Sequence, residues 1–565
     1  MMLQVTRSRV GTSHRSVCYE PSMFLRILKP LGWGSVVGLL LVACGSGKSS
    51  RDSSMSSTWS ASGGSANSSM SNLPSGGSSL SPQGSGTGSA TTIGSGSGGA
   101  TVGSSSGGAP AVILPSGAIT YYQHTAPVFA QKCVGCHQAG SIAPFSLTSY
   151  VEAKKMGPTL LPAIDSGAMP PWGAISTAEC QPRLGFQNDR RLTDMEKALL
   201  HEWVRTGMLE GDPNTAAPLP PAVSLDLPNA NTTMKIPTSA SVSGNNDQFI
   251  CFTLDPQLAQ DVWLTGTQID AGNKAIVHHV LVFDDPKGES VAKAAAGGGK
   301  YDCFGGVGVS GSLLAAWAPG ATAAITPADV GLPLKAGSRL VMQVHYHPTG
   351  AGVQVDSDTS VALRWVTTQP KYTGQLQLIG NFQRADANEA GGVGFGLLAG
   401  PNDPPRGPEF MIPAGVKDHT ESQRFQLPGG AQAAALGAKY YLFGVGSHMH
   451  YVGRDMKIDV HRASPNATQP ADECLLQTPS WDFNWQGAYF YDAPLLSLPT
   501  LSPGDVLGLR CTYDNTLSNP FLSAALDSQG LTAPREVRLG ETTLDEMCLG
   551  IFGVAIESKF AALLP

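Results

Sequence analysis

The hydrophobic positions of the chain follow two different periods. Within residues 113–212 one stretch carries an apolar residue at every third or fourth position, namely Leu192, Met195, Leu199 and Trp203. That spacing predicts an amphipathic helix. From residue 220 onward, short β-rich runs alternate with Gly, Pro and Asn turns, at 248–253, 275–283, 339–345, 439–445, 456–460, 483–491 and 505–513. The chain is therefore expected to be mainly β, with a small helical unit in front of antiparallel β-sandwich structure.

An apolar run near the amino end predicts export. Two basic residues precede the run 31–43, which ends Leu-Val-Ala before Cys44. This order is typical of a secretory signal, here residues 1–44, and the run is too short for a comfortable membrane span. The Leu-Val-Ala-Cys ending resembles the bacterial lipobox, which implies lipidation of Cys44 and a membrane-anchored protein of the cell envelope, in the outer membrane or the periplasm. The alternatives are an uncleaved anchor and a chance cysteine.

The next segment and the overall charge narrow the class of protein. Residues 45–112 are mostly Ser and Gly, and such a segment cannot bury enough apolar surface to fold, so we expect a disordered linker. Charged residues make up 14% of the chain, below the usual value of about 25%. The net charge of −7 gives no sign of a nucleic-acid partner.

A cysteine motif opens the helical region. Cys133-Val-Gly-Cys136-His137 is the pattern of c-type haem attachment, in which two thiols form thioethers and the adjacent histidine binds the iron. A Cys-x-x-Cys redox pair and half of a zinc site are the alternatives. The motif follows a predicted short helix at 125–132 and precedes Met169-Pro-Pro-Trp172.

This order of elements resembles the monohaem cytochrome c domain over residues 113–212. The resemblance implies one covalent haem c with His137 and Met169 as axial ligands. Met156 and Met195 are rival sixth ligands, but we expect Met195 on the apolar face of its helix, whose start carries a Thr193–Glu196 capping box.

Histidines are concentrated in a few stretches of the β-rich region. His448 and His450 alternate along a predicted strand, which would project both imidazoles from one face. His278 and His279 are adjacent, so their joint use as ligands needs a strand end or a bulge. Imidazoles combined with a thioether suit copper.

The β-rich region resembles the copper type II, ascorbate-dependent monooxygenases, which include peptidylglycine α-hydroxylating and dopamine β-monooxygenases. The motifs that carry the resemblance occur in the family order: 278–283, 301–303, 316–320, 330–333, 341–346, 448–450, 485–486, 503–505, 510–515 and 545–548. The resemblance implies two copper ions. It makes His278, His279 and His345 ligands of the electron-transfer copper, and it makes His448, His450 and Met547 ligands of the catalytic copper.

The same resemblance assigns further residues. It implies disulfides Cys251–Cys303 and Cys511–Cys548, and the second would fix Met547. His347 is outside the family pattern, and Met456 is expected to be core filler. Two other cysteines have no assigned partner, at positions 180 and 474.

The implied architecture is two antiparallel jelly-roll β-sandwich copper domains, 220–370 and 371–565, preceded by the small all-α cytochrome c domain. The implied activity is hydroxylation of a substrate C–H bond with O2 across a solvent-filled cleft between the coppers. Electrons would come through the haem, from ascorbate or another one-electron reductant, or from a redox partner protein. Gly446 and Ile551 stand where peptide-amidating relatives carry Arg and Tyr, which favours a neutral or apolar small-molecule substrate. A non-catalytic copper and haem electron-transfer lipoprotein, or a structural β-sandwich protein, are the other readings.

Overall fold

The computed structural model of the protein describes residues 112–139, 143–220, 226–350, 352–384, 395–401, 403, 407–427, 437–542 and 544–563. The expected signal peptide, Cys44 and all but the last residue of the expected linker lie outside these residues. Within them, strands outweigh helices, as the sequence predicts. None of their helices is both long and apolar enough to cross a membrane.

The region 113–212 contains three helices, α1 (Ala126–Lys132), α2 (Tyr150–Asp165) and α3 (Asp194–Arg205), with a π-helical turn (Tyr121–Thr125) before α1. Phe129 and Trp203 pack edge to face at 5.8 Å in a buried core that these elements share. The predicted capping box of α3 is confirmed, because Thr193 and Glu196 each accept from the backbone N–H of the other. We refer to these elements as the helical unit.

The expectation for Met195 is wrong. Its side chain is 39% exposed, while Leu200 and Trp203 carry the buried face of α3. Since successive residues turn by about 100° around a helix axis, Met195 lies at the edge of the face centred on Trp203. It also belongs to the first turn, where the neighbouring chain does not cover it.

The strands are β1 (Thr232–Lys235), β2 (Ala240–Val242), β3 (Gln248–Leu254), β4 (Val262–Asp270), β5 (Val277–Asp285), β6 (Lys300–Asp302), β7 (Leu313–Trp317), β8 (Ala324–Ile325), β9 (Val330–Leu334), β10 (Arg339–Tyr346), β11 (Gln354–Asp356), β12 (Ser360–Val366), β13 (Tyr372–Gly380), β14 (Gly396–Leu397), β15 (Met411–Ile412), β16 (Lys417–Gln426), β17 (Tyr440–His448), β18 (Gly453–His461), β19 (Asp472–Thr478), β20 (Ala488–Phe490), β21 (Thr500–Leu501), β22 (Val506–Asp514), β23 (Val537–Arg538) and β24 (Leu549–Glu557). Short helices interrupt them: α4 (Glu289–Ala294), α5 (Pro520–Ser528), and 3-10 turns at Pro213–Thr215, Ala295–Gly297, Leu495–Ser497 and Ser558–Leu563.

One large sheet runs through both halves of the β region. Its ten strands follow the order β1-β12-β4-β9-β13-β24-β17-β20, with β8 beside β4 and β21 beside β17. The halves join where β13 pairs in parallel with β9, Tyr372 opposite Val330. The boundary expected at residue 370/371 thus falls immediately before a strand that belongs to the shared sheet.

Each half completes its core with a five-stranded sheet of its own. In the first half the order is β6-β3-β10-β5-β7, and in the second it is β14-β16-β22-β18-β19. Two-stranded pairs β11-β2 and β15-β23 flank them. In each half, apolar side chains of the shared sheet pack against those of the five-stranded sheet and form one buried cluster. Leu376 on β13 packs against both clusters, so the two cores are continuous at the join.

Most predicted runs are strands, but one is not. The stretch 483–491 forms a turn followed by the short β20, because its first residues leave the sheet to pack around the histidines. Both expected disulfides are present, Cys251–Cys303 and Cys511–Cys548. A third joins Cys180 to Cys474, the two cysteines without an assigned partner.

Candidate metal centre

Three histidines of the first half meet on two paired strands. His278 and His279 lie at the start of β5, and His345 lies near the end of β10. The register passes from His345 opposite His279 to Tyr346 opposite Val277, so His278 is the extra residue of a bulge. The bulge predicted from the adjacent histidines is confirmed, and it turns both imidazoles toward the same space.

The Nδ1 atoms of these imidazoles converge. Nδ1 of His279 lies 3.3 Å from that of His278 and 3.2 Å from that of His345. A tetrahedral ion with metal–nitrogen distances of about 2.0 Å holds its nitrogen ligands about 3.3 Å apart. One proton on His279 can serve only one of its two neighbours, whereas a metal ion would be bound by all three lone pairs. The three residues could therefore hold a metal ion.

Burial favours the neutral, ligating form of these side chains. Desolvation, followed by repulsion from His345, lowers the pKa of His278 and of His279 well below the usual value. The opposite ring nitrogen of His278 lies 3.3 Å from the carbonyl oxygen of Phe483, whose ring stacks on His278 at 4.0 Å. The ring orientation is therefore fixed from the far side.

A buried carboxylate beside this cluster was not predicted. Asp247 lies 3.2 Å from Nε2 of His345 and 2.7 Å from Nδ1 of His347, and its side chain is 6% exposed. Asp247 immediately precedes β3, which pairs with β10, so only the strand register brings it to the histidines. His347 lies on the far side of Asp247, outside the convergent group, in agreement with its expected place outside the ligand set.

The second pair, His448 and His450, has a different local structure from the one predicted. Strand β17 ends at His448, so His450 lies in the following turn and not on the same strand face. The rings are nevertheless brought together, with centroids 5.2 Å apart and planes at 87°.

Hydrogen bonds fix the tautomer of each ring. Nδ1–H of His448 donates to Oε1 of Gln486 at 2.6 Å, and Nδ1–H of His450 donates to the carbonyl oxygen of Asp545 at 3.1 Å. Both Nε2 atoms are left as the free ligand atoms. Burial lowers the pKa of His448 to about 4 and that of His450 to about 3. Sequence reasoning placed Gln486 within a family motif but missed this contact, because it depends on how the turn before β20 folds.

Glu546 fixes the Met547 segment against His450. Its carboxylate is buried, and one oxygen accepts from the backbone N–H groups of both His450 and Met547. Burial raises the pKa of Glu546 to about 8. The hydroxyl of Tyr513 donates to the Met547 carbonyl at 2.9 Å, and the Cys511–Cys548 disulfide ties down the next residue. The sulfur-bearing side chain is thus on a segment held from both sides.

Two of the methionines have distinct surroundings. Met456 is completely buried in the core of the second half, as expected of core filler. Met547 is half-buried at the end of the segment that Glu546 fixes. Only Met547 has its backbone anchored to the same carboxylate oxygen as a histidine of the cluster.

The two histidine groups touch. The rings of His279 and His448 have centroids 5.9 Å apart and planes at 85°. Phe483 contacts both groups, stacked on His278 and at 6.2 Å from His450. The expected solvent-filled cleft between the groups is therefore wrong for this structure, because the shared sheet and the turn at Phe483 bring the halves together.

The cysteine motif lies at the end of α1. The thiols of Cys133 and Cys136 are not joined in a disulfide, and burial raises the pKa of the Cys133 thiol to about 12. Nδ1 of His137 lies 3.2 Å from the Phe145 carbonyl oxygen, which leaves Nε2 as its free ligand atom. Met169 follows α2, and its backbone N–H donates to the Ala163 carbonyl at 3.0 Å.

No protein-family model matches the chain, and no curated protein matches it. Among solved structures it is similar to the major capsid protein P2 from bacteriophage PM2, with a TM-score of 0.24 and 7% identity over 58% of this chain and 97% of that chain. Broad Bean Stain Virus gives a TM-score of 0.21 and 9% identity over 57% of this chain and 78% of that chain. At these TM-scores the likeness carries no argument about function.

Proposed function

We propose that this protein is an exported, lipid-anchored copper monooxygenase that hydroxylates a C–H bond of a small molecule with O2. It would belong to the copper type II, ascorbate-dependent monooxygenase family, with a fused c-type cytochrome. The observation that carries the proposal is the group of three imidazoles with convergent nitrogen atoms, next to a second histidine pair whose Nδ1 atoms are held by hydrogen bonds.

The donor atoms fit copper at both places. His278, His279 and His345 would hold one ion through Nδ1, while His448 and His450 would hold the other through Nε2 with Met547 sulfur. Imidazole suits both copper oxidation states, and thioether sulfur favours Cu(I). Bound copper would supply the one-electron chemistry and the activation of oxygen.

The protein itself would orient the imidazole ligands and exclude water from the site. Gln486 and the Asp545 carbonyl hold the two imidazoles in the tautomer that presents Nε2. Phe483 covers His278 and excludes water from that side of the site. Asp247 accepts from His347 at 2.7 Å and places a negative charge beside His345, which offsets part of the cationic charge expected there.

The substrate is proposed to be neutral or apolar. Gly446 lies directly opposite Ile551 on β24 and opposite Ala488 on β20. A Cβ at residue 446 would approach the Gly487 carbonyl oxygen to 3.1 Å, so a long charged side chain has little room. These positions offer no group that would bind a carboxylate, which argues against peptide amidation.

The helical unit is proposed to be the cytochrome c domain. Cys133 and Cys136 would carry the thioether bonds, and His137 and Met169 would be the axial ligands. Both thiols are unpaired, as thioether formation requires. His/Met ligation raises the haem potential, which suits an electron carrier.

A non-catalytic copper and haem electron-transfer protein is the second candidate. The contact between His279 and His448 favours it, because adjacent metal groups exchange electrons well and leave little space for a substrate between them. Substrate oxidation that depends on O2 separates the two candidates.

The test is metal and haem quantitation on purified protein, followed by oxygen consumption and isotope incorporation with a reductant. We expect two coppers, one haem, and one atom of labelled oxygen in the product. A protein that binds both metals and oxidises no compound in a broad panel of apolar substrates would favour electron transfer. A protein that binds no copper would exclude both.

The anchor has its own test. We expect Cys44→Ser to prevent lipid attachment and to release the protein from the membrane fraction. An unmodified mature amino terminus elsewhere in the wild-type chain would overturn the lipoprotein assignment.

A further inference from the structure

One stretch of the helical unit leaves that unit and lies on the second β half. It runs over residues 172–190, between the end of α2 and the start of α3, and we name it the strap. Ala174 and Phe186 are buried members of the core cluster of the second half, and Trp172 packs against the same cluster. Both ends of the strap therefore belong to the helical unit, while its middle is part of the second β half.

The strap is held by several independent contacts. Cys180 forms its disulfide with Cys474 on β19. Arg183 pairs with Glu473 at 3.1 Å, where the Glu473 side chain is 4% exposed. Phe186 stacks on Tyr491 with centroids 5.1 Å apart. A covalent bond, a partly buried ion pair and an aromatic contact along one short stretch fix it as a rigid attachment.

The first two residues of the strap contact the short strand that follows Gln486. The Trp172 ring lies edge to face on Tyr489 with centroids 5.1 Å apart, and the backbone N–H of Gly173 donates to the Tyr489 hydroxyl at 3.1 Å. Tyr489 lies on β20, three residues after Gln486, which accepts from His448. Trp172 lies three residues after Met169. The contact therefore joins a segment three residues from the proposed haem ligand Met169 to a segment three residues from Gln486, the partner of His448.

We infer that the strap docks the helical unit rigidly on the second β half, so that electrons enter the copper sites at His448 through Trp172 and Tyr489. The inference rests on the proposed function. Haem held by Cys133, Cys136 and His137 would supply one electron, and copper held at His448 would accept it; the transfer would make or break no bond and would move no proton. A one-electron reductant in the exported compartment would supply the next electron to the haem.

A second route for the electron would run through Arg190 into the first half. Arg190 donates to the carbonyl oxygen of Gly320 at 2.9 Å, which connects the strap to the first half. From Gly320 the chain leads to Trp317 on β7, which lies opposite Val280, next to His279. At the strap this route has a single part-buried hydrogen bond, whereas the path through Tyr489 has an aromatic contact and a hydrogen bond.

The docking is tested without haem or activity. A protease site inserted at residues 217–219, after the helical unit, is cut in the folded protein. In denaturant without reductant, we expect the helical fragment to stay attached to the β fragment through Cys180–Cys474. After mild reduction without denaturant, we expect the fragments to co-elute. Separation of the fragments before reduction would overturn the docking.

The entry point is tested anaerobically, without substrate, on holoprotein. Haem is reduced rapidly by a flash, its reoxidation is followed optically, and loss of the Cu(II) signal is followed by electron paramagnetic resonance. Trp172→Leu and Tyr489→Leu should slow the intramolecular step by about tenfold or more, since they loosen the contact that keeps donor and acceptor at high effective concentration. Trp263→Leu, at a half-buried tryptophan of the first half, is the matched control and should leave the rate unchanged.

Two ligand variants decide between the routes. We expect the fast phase to persist in His278→Ala and to be lost in His448→Ala. The reverse pattern would overturn entry at His448 and favour the Arg190 route. A fast phase in a protein that hydroxylates nothing would refute the monooxygenase proposal and leave this inference intact. Hydroxylation with external reductant, together with a rate insensitive to Trp172 and Tyr489, would refute only the inference.

Discussion

The His279 ring meets the His448 ring at 5.9 Å, although the two residues belong to different halves of the β region. The contact follows from the sheet that both halves share. His279 lies on the five-stranded sheet of the first half, while His448 is the last residue of β17, a strand of the shared sheet. The two histidine groups form one continuous cluster, so we expect a substitution in one group to alter the geometry of the other.

Replacing the proposed sulfur ligand should separate metal binding from folding. We expect Met547→Leu to keep its fold, because the side chain keeps its approximate volume, at a cost below about 1.5 kcal/mol. Copper–sulfur scattering in X-ray absorption should disappear, and turnover should be lost. Met456→Leu, which alters a buried methionine of the core, is the control and should retain both signals. Full activity of the Met547 variant would refute the ligand assignment.

We expect Gln486 to affect copper binding because it fixes the orientation of the His448 ring. Gln486→Leu removes the acceptor of the 2.6 Å hydrogen bond, so the imidazole can rotate or change tautomer. We expect copper affinity to fall by about 10- to 100-fold at one of the two sites, as is typical for loss of such a partner. The measurement is competition with a copper chelator, site by site. Asn484→Ala, at an exposed position in the same turn, should change nothing.

The sequence predicted the convergent histidines better than their surroundings. His278, His279 and His345 could be named from motifs, and the bulge at His278 followed from two adjacent histidines that must share a face. Asp247 could not be named, since it reaches the cluster only through the pairing of β3 with β10. Local spacing indicates which histidines lie together. Their hydrogen-bond and charged partners depend on strand register, which local spacing does not give.

The same limit applies to the larger-scale organisation. Cys180 and Cys474 are separated by 294 positions, and no local pattern links them. The parallel pairing of β9 with β13, which merges the two halves, is likewise a long-range contact that no local pattern indicates. The strap was assigned wholly to the helical unit because its neighbours on both sides are helical.

The disulfides should be seen directly. Peptide mapping of non-reduced protein should recover Cys180–Cys474, Cys251–Cys303 and Cys511–Cys548. Because the first closes a very long loop, Cys180→Ser with Cys474→Ser should cost about 2–5 kcal/mol of unfolding free energy. Chemical denaturation measures the loss. Finding Cys180 and Cys474 as free thiols in exported protein would contradict the pairing.

Acid should loosen the strap through Glu179. Its carboxylate pairs with Arg510 at 2.7 Å, and this hydrogen bond is the main reason why the pKa of Glu179 falls to about 2. A lowered folded-state pKa means that the pair stabilises docking at neutral pH. That stabilisation is lost as the pH falls from about 4.5, the unfolded value, through about 2. Because the carboxylate is 51% exposed, salt should weaken the same contact.

Hydrogen exchange across residues 175–187 measures this loosening. The experiment uses a Cys180→Ser, Cys474→Ser background, because the disulfide would otherwise hold the strap in place. In that background we expect protection to fall below pH 4.5 and with added salt. Glu179→Gln should start from lower protection and show a flatter response to both, while Asp189→Asn, whose carboxylate pairs with Arg191 just beyond the strap, should behave as the parent. An equal response of the two variants would mean that Glu179 does not hold the strap in this background, where contacts such as Arg183–Glu473 and Phe186–Tyr491 remain.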